Sequence, residues 1–94
     1  MSGVRAFRIR VSGRVQGVGF RWFTRRAAQE VGGLAGGVRN LPDGRVEVEV
    51  AGEPERIEAF RRQLRQGPSG ARVTGLEETE ITPVPDWDGF VIDR

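Results

Sequence analysis

A chain of 94 residues with a formal net charge of +2, no cysteine and no histidine commands a narrow chemical repertoire. All fifteen basic residues are arginine and tyrosine is also absent, which excludes His-based triads, imidazole proton shuttles, thiolate nucleophiles, Schiff-base lysines and Cys- or His-ligated zinc. The length suits one hydrophobic core without disulfide or metal staples, so a single domain over residues 1–94 is expected.

The remaining tools are Arg, Asn, Gln, Ser, Thr, carboxylates and backbone amides. They suit reactions that need charge stabilisation and positioning rather than a side-chain proton shuttle. The sequence pI near 10.9 does not signal nucleic acid. Almost nothing in the chain titrates between the carboxylates and arginine, so a small charge excess persists to high pH. No apolar run is long enough to span a membrane, and the N-terminus lacks a signal-peptide apolar region. The expectation is a soluble, cytoplasmic protein.

In chain order, Phe7, Ile9 and Val11 alternate with Arg8 and Arg10, which predicts a strand with one buried face. A glycine-rich loop follows. Phe20, Phe23, Ala27 and Val31 recur at intervals of three and four, marking the inner face of a helix that stops at Gly32-Gly33. A second strand is predicted from about Ala35 to Leu41, and Pro42-Asp43-Gly44 turns the chain. Val46, Val48 and Val50 then alternate with Glu47 and Glu49 in a third strand whose acids read as solvent-facing. A second helix starts near Pro54 with Ile57, Phe60 and Leu64 inward, acids early and bases late, and ends at Gly67-Pro68. A less regular strand near Arg72–Thr79, with Gly75 as a possible bulge, and a short one around Phe90 and Ile92 complete the pattern. The sum is an α+β, ferredoxin-like βαββαβ sandwich with an extra C-terminal strand.

The segment Gly13-Arg14-Val15-Gln16-Gly17-Val18-Gly19-Phe20-Arg21 is the most informative. It joins the first strand to the first helix, where backbone N–H groups at the positive end of a helix form a cradle for an anion. Arg21 adds a planar fork of donors suited to phosphate. Neither better-known phosphate loop fits: no Lys-Ser/Thr pair follows, and Trp22 stands where a dinucleotide fingerprint needs its third glycine.

This segment resembles the first signature of the acylphosphatases, Gly-x-Val-Gln-Gly-Val-x-Phe-Arg, with Ala28 seven residues further on. Gly36-Gly37-Val38-Arg39-Asn40-Leu41-Pro42-Asp43-Gly44-Arg45-Val46-Glu47 is similar to the second, Gly-x-Val-x-Asn-x-x-Asp-Gly-x-Val-Glu. Gly37 departs from the bulky residue common at its position. The resemblance implies the ferredoxin-like fold and hydrolysis of carboxyl–phosphate mixed anhydrides by a small monomer; nothing in the sequence assembles a metal site, so neither metal nor cofactor is expected. Inorganic phosphate would be its product and competitive inhibitor.

The resemblance also assigns roles. Arg21 and the loop from Val15 through Gln16, Gly17, Val18 and Gly19 to Phe20 would bind the phosphoryl group, chiefly through backbone amides, and Asn40 would orient the attacking water. Taken alone, Arg21 reads as a solvated surface arginine or as one paired with a carboxylate such as the chain terminus. Asn40 alone reads as a local turn residue. The topology favours the joint reading. In a split βαβ unit the first two strands are parallel with the third between them, so their C-terminal ends meet at one end of the sheet, about 10 Å apart. The rival is a non-catalytic ferredoxin-like module, for RNA for example, but such modules need aromatics on the open sheet face, where this chain has Arg8, Arg10, Glu47 and Glu49. Neither nucleic acid nor a membrane is an expected partner.

Overall fold

The computed structural model describes residues 3–92. Their elements are β1 (Arg5–Arg14), α1 (Phe20–Val31), β2 (Ala35–Asn40), β3 (Val46–Gly52), α2 (Pro54–Gln66), β4 (Arg72–Glu80) and β5 (Phe90–Ile92). The five strands form one sheet in the order β4-β1-β3-β2-β5. β1 pairs antiparallel with β3 and β4, β2 pairs antiparallel with β3, and β5 joins β2 in parallel. β1 and β2 therefore run the same way with β3 between them, and both helices pack on one face.

Alternation places Ile9 and Val11 of β1, Val38 of β2, and Val46, Val48 and Val50 of β3 against Phe20, Ala27 and Ala28 of α1 and Ile57, Phe60 and Leu64 of α2. β-branched residues suit this pleated, one-sided burial. Phe60 meets Phe90 edge to face at 5.8 Å between ring centroids, which ties the short β5 to α2. Thr24 and Ala28 are buried on the inner face of α1 beside the predicted Phe20 and Ala27, whereas Phe23 and Val31 are only half-buried. Thr24 is tolerated there because its hydroxyl donates to the Phe20 carbonyl oxygen at 2.8 Å.

Boundaries differ slightly from expectation. β2 stops at Asn40, and the Leu41 N–H donates to the Arg45 carbonyl at 2.8 Å to begin the turn. In β4, Ser12 faces Gly75 while Gly13 faces Val73, so Thr74 is the extra residue of a bulge beside Gly75.

The open face corrects one expectation. Glu47 is not solvent-facing: its side chain retains 4% of its exposure. Arg10 on one flanking strand and Arg39 on the other are its direct cross-strand partners. They donate to its carboxylate at 3.1 and 3.0 Å, and Arg8 binds Glu49 at 2.8 Å. β3 is the middle strand, so long arginine side chains reach over it from both sides and their aliphatic stems cover the acid. Burial pushes the Glu47 carboxyl up, but the hydrogen bonds and charges of Arg10 and Arg39 together hold it below its ordinary range.

Candidate active site

Register alone brings the two motifs together. Val11 pairs with Val46, and Val46 pairs with Asn40, so β1, β3 and β2 form one row across the sheet. Two inter-strand spacings separate its ends, about 10 Å. Beyond Val11, β1 runs on to Arg14 and the loop then turns into α1. Asn40 alternates in step with Val38 and so belongs to the helix-covered face, the side on which α1 begins.

The loop is pinned by its apolar residues. Val15 and Phe20 are buried at its two ends, and Val18 packs partly against the core. Gly17 and Gly19 lie between these anchors, exposed, with φ of 76° and 77°. Apart from its chain neighbours, no residue comes within 4 Å of where a Cβ would stand on either one. Left-handed glycines alternating with ordinary residues turn successive N–H groups to one side, the geometry of an anion-binding nest. Gly19 is also the residue before α1, with no side-chain cap, and its carbonyl accepts the Phe23 N–H at 3.0 Å. The N–H groups of Phe20, Arg21 and Trp22 precede that first helical bond and point out of the helix end.

Arg21 stands in this first turn, where there is no acidic residue. A cation there opposes the helix dipole by about 0.3–1 kcal/mol, a cost that an anion at the same place reverses. Asn40 is half-buried, and its Oδ1 is buried without a hydrogen-bond partner among the described residues. Such an atom costs about 1–3 kcal/mol unless a bound molecule satisfies it.

Gln16 joins the two parts. Its side-chain amide donates to the Leu41 carbonyl at 2.8 Å and to the Arg45 carbonyl at 2.9 Å. The loop is thereby fastened to the residues that immediately follow Asn40. Asp43 and Gly44, as expected, are turn chemistry: the Arg45 N–H donates to Asp43 Oδ1 at 3.0 Å. Arg45 also pairs with Asp43 through its side chain, and these bonds draw the Asp43 carboxyl down. Gly37 faces the open side of the sheet, opposite Glu49 and beside Val91, on the face that Asn40 does not share.

Among the described residues, no three His, Cys, Asp or Glu side chains gather in a cluster able to hold a metal ion. None of the helices is long and apolar enough to cross a membrane.

The acylphosphatase family profile matches residues 7–92, which include the loop, Arg21 and Asn40. The chain belongs to the acylphosphatase family. It is 52% identical over 84 residues to an acylphosphatase of Pseudomonas paraeruginosa, covering 89% of this chain and 90% of that one. The crystal structure of acylphosphatase from Bacillus subtilis superposes with a TM-score of 0.91 at 37% identity, over 96% of this chain and 99% of the other. HypF from T. kodakarensis is a contrast: at 41% identity and a TM-score of 0.83, 96% of this chain covers only 12% of that much larger one. The ferredoxin-like fold with its added strand is thus an acylphosphatase fold.

Sequence reasoning placed Gln16 in the phosphate loop but missed its bonds to the next turn. The available signal was its chemistry: it is the one polar side chain between Val15 and Phe20. It missed the burial of Glu47 entirely, because an alternating strand pattern carries no cross-strand register.

Proposed function

We propose that this acylphosphatase hydrolyses a carboxyl–phosphate mixed anhydride with the N–H groups from Val15 to Phe20 and the Arg21 guanidinium holding the phosphoryl oxygens. The Asn40 side chain holds a water for attack. The water oxygen forms a bond to phosphorus while the bond from phosphorus to the acyl oxygen breaks, and the carboxylate leaves with the electron pair. The water proton passes to a phosphoryl oxygen. A carboxylate is a good leaving group, so no strong general acid is required, and positioning with charge stabilisation does the work. The product phosphate competes with substrate for the same donors.

The observation that carries this reading is the Asn40 Oδ1, buried and without a protein partner among the described residues, on a strand end that Gln16 fastens to the loop. A water accepting from the side-chain N–H and donating to Oδ1 would lie beside the nest. Nucleic acid is not a partner we propose, since Arg8, Arg10 and Arg39 on the open face are engaged by Glu47 and Glu49. We further propose a cytoplasmic location and a monomeric state, the latter checked by sedimentation of the purified protein.

The deciding experiment is turnover of benzoyl phosphate by the wild type, Arg21→Ala and Asn40→Ala. Arg21→Ala should lose turnover and affinity for inorganic phosphate together. Full activity in that variant removes Arg21 from the reaction.

A further inference from the structure

A groove of about 470 Å³ runs along the outer face of α1, within the range of small-molecule sites. Trp22, Arg25, Arg26 and Gln29 line it at the i, i+3, i+4, i+7 spacing of one helical face, together with Phe23 on the flank of α1 and Pro68. Three features set it apart from an ordinary solvated surface. Trp22 is 68% exposed, the largest apolar side chain so placed among the described residues. The Arg25 guanidinium lies 5.8 Å from the Trp22 ring centroid, and the Arg25 Nε is buried without a hydrogen-bond partner among the described residues. Finally, Gly19, the last glycine of the phosphate loop, is also a wall of this groove, so the two are continuous.

We infer that the groove receives the acyl part of the substrate, and that it favours an aromatic acyl group bearing a second anionic substituent. The inference rests on the phosphoryl site proposed above. In-line transfer puts the attacking and leaving oxygens on opposite sides of phosphorus. Asn40 holds water on the sheet side of the α1 N-terminus, the side towards which Phe20, Thr24, Ala27 and Ala28 are buried. The groove lies on the opposite side of that helix. A phosphoryl group seated in the nest with water at Asn40 therefore directs its acyl oxygen towards Trp22. The indole offers a face for an acyl ring, and Arg25 and Arg26 offer charge to a distal carboxylate.

The test is kinetic, with acetyl phosphate, benzoyl phosphate and 4-carboxybenzoyl phosphate as substrates for the wild type, Trp22→Ala and Arg25→Gln. In the wild type, kcat/KM should rise along that series. Trp22→Ala should lose about tenfold on both aromatic substrates, and Arg25→Gln about tenfold on 4-carboxybenzoyl phosphate. Arg25→Gln should stay within about twofold of wild type on benzoyl phosphate. Both variants should hydrolyse acetyl phosphate at the wild-type rate, which also shows that they fold. Equal losses on all three substrates, or no loss on any, overturn the assignment of the groove while leaving the phosphoryl site standing. A wild type that hydrolyses none of the three overturns that site, and the groove's role with it.

Discussion

The proposed roles of Arg21 and Asn40 differ, and substitution should separate them. Removing a preorganised donor aimed at developing charge costs about 10²–10³ in kcat. Arg21→Ala should lose at least that much and weaken inhibition by inorganic phosphate, because in the proposed mechanism the guanidinium serves ground and transition states alike. Asn40→Ala should lower kcat by a similar factor with little change in KM, since in the proposed mechanism Asn40 positions the water and does not hold the substrate. A rise in KM at constant kcat would make Asn40 a binding residue. Gln16 acts at one remove. Its two bonds to the Leu41 and Arg45 carbonyls set where Asn40 stands relative to the nest, and a misplacement of about 1 Å can cost 10²-fold in rate. Gln16→Ala should therefore depress kcat while inorganic phosphate inhibits as before. Equal loss of both would place Gln16 in the phosphate contacts themselves. At this scale the two motifs were legible because glycine, arginine and asparagine carry distinctive chemistry at fixed spacings. The Gln16 latch was not, since its acceptors are backbone carbonyls in a turn some 25 residues away.

The element that departs most from its sequence pattern is β3. Valine and glutamate alternate along it as in a half-exposed strand, yet Glu47 is buried because Arg10 and Arg39 stand opposite it on both neighbours. Only strand order reveals that, and periodicity within one segment contains no strand order. Hydrogen bonds to a buried charge contribute about 1.5–3 kcal/mol, so Glu47→Gln should destabilise the fold by about 2 kcal/mol in chemical denaturation at pH 7. The pH dependence follows from the lowered Glu47 carboxyl. Its contribution is fully present above its ordinary value of 4.5 and is lost as pH falls through the lower value it has in the folded state. The wild type should lose stability below about pH 4.5, and Glu47→Gln should lose less over the same interval. Parallel curves would assign the acid sensitivity to other carboxylates. The remaining elements were plain from the sequence because they bury one regular face. β4 read as irregular for two reasons: it is an edge strand with most of its side chains exposed, and the bulge at Thr74 breaks its alternation.

For the molecule as a whole, the composition predicts a quiet response to its medium. With no histidine or cysteine, no side chain at its ordinary pKa titrates between about pH 5 and 8. The enzyme-linked part of kcat should be flat over that range, and a steep slope would reveal a strongly shifted carboxylate near the site. Activity should be unchanged by EDTA, since the residues around the nest and Asn40 do not make a donor set for a divalent ion. A clear loss on chelation would overturn that. The whole fold was legible at this scale because connectivity alone brings the ends of β1 and β2 together. The outer groove of α1 was not, because Trp22 in the sequence showed only that a different phosphate motif was absent.

The ion-paired lattice over the open sheet has one more consequence. Every cation in it, like every basic side chain of the chain, is a guanidinium. Mixed anhydrides of this kind transfer their carbonyl carbon readily to amines, phenolates, thiolates and imidazoles. None of those side chains is present, and arginine stays protonated and unreactive. A protein that handles such reagents is thereby spared covalent self-modification at its side chains. Prolonged incubation with excess benzoyl phosphate should leave their mass unchanged, where a lysine-rich protein of the same size would accumulate adducts.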